Sequence, residues 1–228
     1  MPELETRLPD GTPLYAVVPA GARRGMIVIH EIFGRQPEID RVVQRFAAAG
    51  YAAAAPDLFG SGARLACIRS ALRSMGSGKG PAIDAVRAAR LWLCEQAGFA
   101  PERVGLIGFC FGGGFALAAG PGFAAVSTNY GEVPPTEVMR GIGPVIGCYA
   151  GRDRLFDNGG KLAARLAPLG VTPEVHHFES VGHSFLTDGR HPIAFALSRF
   201  VFHAEARDPA VREAAWAQIL EFFERKIP

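Results

Sequence analysis

The chain opens with two short extended runs, "ETRL" and "PLYAVVP", on either side of Asp10-Gly11, and that pair of turn residues predicts a β-hairpin. Beyond it, compact apolar runs alternate with segments whose apolar residues recur every three or four positions. "GMIVIH" (25–30), "YAAAAPDL" (51–58), "RVGLIGF" (103–109), "FAAVSTNYG" (123–131), "GPVIGCYAG" (143–151) and "EVHHFE" (174–179) read as strands. "PEIDRVVQRFAAAG" (37–50) reads as a helix with Ile39, Val42, Val43 and Phe46 on one face, opening on Pro37 and stopping at Gly50. "PAIDAVRAARLWLCEQAG" (81–98), "GGGFALAAG" (112–120) and "GKLAARLAPLG" (160–170) are helical too. So is "PAVREAAWAQILEFFERKI" (209–227), which groups Trp216, Ile219, Leu220 and Phe223.

Strands this uniformly apolar need cover on both faces, and the helices between them supply it. The pattern predicts an α/β fold with a mostly parallel central sheet, formed as one domain over residues 1–228. In such sheets ligands bind beyond the carboxyl ends of the strands, so the chemistry is expected in the loops that follow them.

Composition narrows the function. The 228 residues are 49% hydrophobic and 20% charged, and the formal net charge is only +2. The longest basic run is "RR" at 23–24, which gives nucleic-acid binding no electrostatic footprint. No apolar run reaches the ~18 residues of a membrane span. The start, "MPELETRLPDGTPL", lacks the charged and apolar regions of a signal peptide, and a cytoplasmic location is the expectation. Cys67, Cys94, Cys110 and Cys148 show neither CxxC spacing nor a disulfide framework, and they are expected as reduced thiols. No His/Asp/Glu cluster has metal-ligand spacing, so no metal or organic cofactor is expected.

One cysteine stands apart. "GFCFG" places Cys110 in a G-x-C-x-G pentapeptide between a strand and a helix, the setting of a nucleophile elbow. Gly108 and Gly112 remove side chains where strand and helix cross closely, and the start of the helix favours negative charge on the sulfur. Taken alone, the motif is also compatible with a tight glycine turn around an inert core cysteine, or with a phosphate-binding loop. The residues that follow it favour the elbow. In α/β-hydrolases the order is nucleophile, acid, histidine. Asp153 follows the strand "GPVIGCYAG", with Asp157 as the fallback acid, and His183 in "SVGHSF" follows the next strand. His30, His176, His177, His191 and His203 are expected in structural or surface roles. "HEIFG" (30–34) occupies the loop that usually provides an oxyanion donor, so the backbone N–H groups of Ile32 and Phe111 are the candidate oxyanion hole. Glu31 in that loop is either a solvated loop glutamate or part of the chemistry.

These residues resemble the dienelactone hydrolase family of cysteine-nucleophile α/β-hydrolases. The match runs through "IVIHEIFG", "AGYAAAAPDLFG", "VGLIGFCFGG", "YAGRD" and "GHSF", in family order from about residue 10 to about residue 225. The resemblance implies Cys110 as nucleophile, His183 as base, Asp153 as its orienting acid, and Glu31 as acceptor of the cysteine proton when substrate binds. In the family, arginines grip a substrate carboxylate. They align near Ser61 and Thr187, neither of which is arginine here, and Arg64 and Arg190 are the nearby candidates to substitute, with exposed surface charges as the alternative. Segment 60–80, "GSGARLACIRSALRSMGSGKG", is short and glycine-rich and reads as a flexible lid. The expected activity is hydrolysis of small esters or lactones through a thioester. Alternatives are a thioesterase, a general carboxylesterase, or a hydrolase-fold protein that binds without turnover. The sequence leaves monomer and small homo-oligomer equally open.

Overall fold

The computed structural model describes residues 2–60, 63–153, 158–187 and 206–228. The predicted hairpin is present: β1 (Glu3–Arg7) and β2 (Pro13–Val17) pair antiparallel, Thr6 opposite Leu14. The following strand, β3 (Gly25–Ile29), is buried at every position, and its side chains divide between two layers. Met26 and Val28 join one apolar cluster, Ile27 and Ile29 the other. Helix α1 (Pro37–Ala48) lays Ile39, Val42, Val43 and Phe46 on the Met26 side. Strand β4 (Ala52–Pro56) is buried throughout and splits in the same way, Ala52 and Ala54 against Ala53 and Ala55.

Two helices follow, α2 (Arg64–Ser77) and α3 (Pro81–Ala97), then β5 (Val104–Phe109) and α4 (Phe111–Ala119). The chain continues through β6 (Val126–Asn129), β7 (Val145–Ala150), α5 (Gly159–Leu166), β8 (Glu174–Phe178) and α6 (Pro209–Lys226). The sheet order is β1-β2-β4-β3-β5-β6-β7-β8. Strands β3 to β8 pair parallel and β2 runs against its neighbours. Helices α3, α4 and α5 cover one face, and α1 and α6 the other. Helix α6 opens on Asp208, whose Oδ1 accepts from the N–H groups of Ala210 (2.9 Å) and Val211 (3.3 Å).

One expectation needs correcting. Within segment 60–80, residues 64–77 form helix α2 rather than a glycine-rich flexible lid. Cys67, Ile68, Ala71, Ser74 and Met75 fall on one helical stripe against α3 and α4. The glycines that suggested a loop lie mostly at the helix's end, where Gly78 at φ +67° supplies the left-handed cap.

Candidate active site

Cys110 sits between β5 and α4 with φ 55° and ψ −119°, a backbone conformation that non-glycine residues rarely adopt. Such strain costs on the order of 1–3 kcal/mol and persists only where the surroundings impose it. The surroundings are backbone. A Cβ on Gly108 would come within 1.8 Å of the Gly112 carbonyl oxygen, and one on Gly112 within 2.5 Å of the carbonyl oxygens of Ile29 and His30. The Cys110 N–H donates to the Asn129 carbonyl at 3.0 Å, and the Gly113 N–H to the Cys110 carbonyl at 2.9 Å. The chain is therefore clamped between the end of β3 and the end of β6, with the sulfur at the positive end of α4.

Asp153 follows β7 and His183 follows β8, and the structure brings them together. His183 Nδ1 donates to Asp153 Oδ2 at 2.5 Å, with the two residues 6% and 1% exposed. Backbone bonds tie their loops: Gly151 N–H to Phe178 O at 2.9 Å, and Arg152 N–H to Val181 O at 3.1 Å. Trp216 Nε1 in α6 donates to the Leu186 carbonyl at 3.2 Å and steadies the histidine loop from below. Burial pushes the imidazole down. The negative charge of Cys110 and its hydrogen bond, with the hydrogen bond and charge of Asp153, outweigh that and carry His183 up to about 10. His183 thus interacts with both Asp153 and Cys110. Cys148 and Cys94 are placed differently: burial pushes the Cys148 thiol up to about 12 and raises Cys94 as well.

Glu31 enters the same site. Its Oε1 accepts from Ser184 Oγ and Thr187 Oγ1, both at 2.9 Å. Tyr130, fully buried at φ 41°, lies with its hydroxyl 3.4 Å from Thr187 Oγ1 and its ring 4.9 Å from His183. Burial, together with the charges of Glu31 and Cys110, pushes the Tyr130 phenol well above its ordinary value despite its bond to Thr187, so it stays neutral. Ile32 sits in the turn after β3, and Phe111 is the first residue of α4, its ring 5.7 Å from Phe59.

Arg64, at the start of α2, is exposed and donates from Nη2 to the Phe33 carbonyl, at the rim of the loop that carries Glu31. Arg190, Asp157, His191 and His203 lie outside the described residues, as does Ser61. Sequence reasoning passed over Tyr130 and the hydroxyl of Ser184. It marked Thr187 only as a position where arginine was expected. The signal for the hydroxyls was adjacency to His183 in "HSFLT"; Tyr130 offered none.

A parallel sheet with a reversed second strand, a strained elbow after β5 and an Asp–His pair after β7 and β8 define an α/β-hydrolase. The family profile described as "Dienelactone hydrolase family" matches residues 13–227, and the chain belongs to that family, hydrolases acting on esters or lactones. A carboxymethylenebutenolidase of Rhodococcus opacus is 27% identical, the alignment covering 97% of this chain and 90% of the relative. The crystal structure of the dienelactone hydrolase-like promiscuous phosphotriesterase P91, from metagenomic libraries, superposes with a TM-score of 0.76 at 22% identity, covering 100% of this chain and 99% of that one. An esterase/lipase from an uncultured bacterium shares the fold at a TM-score of 0.67 and 15% identity, over 99% of this chain and 84% of its own.

Proposed function

We propose that the chain hydrolyses small, uncharged carboxylic esters or lactones through a thioester on Cys110. The observations that carry this reading are the buried His183–Asp153 hydrogen bond and the strained elbow that holds Cys110, whose charge acts on His183. Cys110 gives its proton to His183, and the thiolate adds to the substrate carbonyl while the N–H groups of Ile32 and Phe111 hold the oxyanion. The tetrahedral adduct expels the alkoxide, which takes the proton from His183. The thioester then carries no charge on sulfur. The part of the push that Cys110 supplied is gone while Asp153 still orients the ring, so burial draws the His183 pKa down and the neutral ring can accept a proton from water as that water attacks the acyl carbon.

Charge supports the uncharged substrate. Glu31 brings a carboxylate beside the elbow, and its Oε1 is held by two uncharged hydroxyls. An anionic substrate would meet repulsion there, and Arg64 is turned to the Phe33 carbonyl at the loop's rim. Glu31 serves to position the loop, with His183 as the acceptor of the thiol proton. Glu31→Gln separates this from the alternative in which the glutamate itself takes that proton: little loss favours His183, and a loss as large as that of His183→Ala favours Glu31.

The test is a panel of aryl acetates, lactones, carboxylate-bearing lactones and a neutral phosphotriester, with intact-mass detection of the acyl-enzyme. Turnover of the neutral esters with an acyl group on the Cys110 peptide supports the reading. Turnover that survives Cys110→Ala overturns it.

A further inference from the structure

We propose that His30, the first residue after β3, is the positioning residue for the Ile32 N–H, because its ring holds the other edge of the same peptide. His30 is completely buried, and both of its ring nitrogens are engaged by backbone. Nδ1 lies 2.7 Å from the Glu31 carbonyl oxygen, and Nε2 lies 3.0 Å from the Leu58 nitrogen. The carbonyl only accepts and the amide only donates, so Nδ1 carries the proton and Nε2 takes the Leu58 N–H. That is the neutral tautomer, and burial, which pushes the imidazole down despite Asp57 3.5 Å from Nε2, keeps it so.

The geometry of the peptide does the rest. No cis bond occurs among the described residues, and a trans peptide points its C=O and N–H to opposite edges. Pinning the Glu31 carbonyl toward the ring therefore turns the Ile32 N–H away from it. The Gly34 N–H also donates to the Glu31 carbonyl, at 3.1 Å, which closes the turn within itself. That bond would survive if the whole turn swung about the end of β3. The His30 ring prevents the swing, since it ties the turn to the loop after β4 through Leu58. The Phe59 ring packs edge-on against it at 4.7 Å, and the Phe59 N–H is held by Asp57 Oδ1 at 3.0 Å. The main chain of His30 meanwhile touches the elbow, since its carbonyl oxygen would lie 2.5 Å from a Cβ on Gly112. One residue thus fixes both the seat of Cys110 and the direction of the neighbouring N–H.

This inference rests on the cysteine-hydrolase reading, and its test keeps the two apart. The experiment compares His30→Leu, His30→Asn and His30→Gln with the parent chain, using p-nitrophenyl acetate turnover and iodoacetamide alkylation of Cys110. Alkylation is a displacement that develops no oxyanion, so it reports on the elbow and not on the hole. His30→Leu should lower kcat by about tenfold or more, with KM within about threefold and the alkylation rate unchanged. Asparagine places its amide nitrogen near Nδ1 and glutamine near Nε2, so His30→Asn should keep more kcat than His30→Gln. If His30→Leu does not fold, the ratio of these two decides. The inference is overturned if kcat is unchanged in His30→Leu, if alkylation falls by the same factor as kcat, or if His30→Gln equals or exceeds His30→Asn. A parent chain that is alkylated at Cys110 but cleaves no ester overturns the hydrolase reading and this inference with it.

Discussion

A methyl group on Gly108 would stand 1.8 Å from the carbonyl oxygen of Gly112, so the last residues of β5 and the first turn of α4 touch through backbone alone. A backbone oxygen in a buried helix cannot swing aside as a side chain would. Gly108→Ala is therefore expected to destabilise the protein by about 3 kcal/mol or more. Gly11, at the hairpin tip with φ 85° and nothing within 4 Å of a built Cβ, is the control. Its alanine variant meets only the strain of a left-handed backbone, about 1 kcal/mol. Urea unfolding of the two variants measures the difference, and equal midpoints would show that the elbow opens without cost.

The pH dependence of turnover follows from His183. Its raised value of about 10 means that the imidazolium persists from neutral pH upward and is lost as pH rises through about 10. In the proposed mechanism the imidazolium protonates the departing alkoxide, so the alkaline limb of kcat/KM is expected near 10. Asp153→Asn removes a hydrogen bond and a charge that both raise the imidazole. The limb should then move toward lower pH, with the surviving activity confined to more acidic solution. A limb that stays in place would mean that another group supplies that proton.

Thr187 and Ser184 make a different claim testable, because each hydroxyl gives Glu31 Oε1 a hydrogen bond at 2.9 Å. A bond to a charged acceptor contributes about 1.5–3 kcal/mol when buried, and Glu31 is half-buried, so the lower part of that range applies. Thr187→Val keeps the shape, removes the donor and takes away the partner of the Tyr130 hydroxyl. The expected loss is about 1.5–2 kcal/mol in chemical denaturation, with Thr187→Ser restoring most of it. If valine leaves stability unchanged, the glutamate is held by something other than these hydroxyls.

Features set by local pattern were legible in the sequence. The turn pair Asp10-Gly11, the alternating apolar runs and the order Cys110, Asp153, His183 each depend on neighbours in the chain or on the order of strands, and the sheet carries all of them. What was not legible depends on contacts between distant residues. Tyr130 and Thr187 are 57 residues apart, and Glu31 and Thr187 are 156 apart, so no window of the chain contains either pair. His30 looked like the end of a core strand because its two backbone partners come from two different loops. In residues 64–77, the flanking glycines drew attention from the stripe of Cys67, Ile68, Ala71 and Met75, which has the helical spacing.

The cysteines offer a comparison within one molecule. Cys148 is buried in β7 with its thiol pushed up to about 12, and Cys94 is buried on α3 with its thiol raised, in both cases by loss of hydration. Such thiols stay protonated near neutral pH and do not react, because the thiolate is the nucleophile. Cys110 is half-exposed, stands at the positive end of α4 and interacts with a histidine that carries positive charge. Iodoacetamide at neutral pH should therefore alkylate Cys110 well ahead of Cys94 and Cys148, read as peptide masses over time. His183→Ala removes the positive partner and should slow Cys110 labelling, leaving the other two unchanged. Labelling of Cys148 at a rate comparable to Cys110 would mean that the folded chain opens faster than the elbow reacts, and Cys110 would then lose its distinction as the nucleophile.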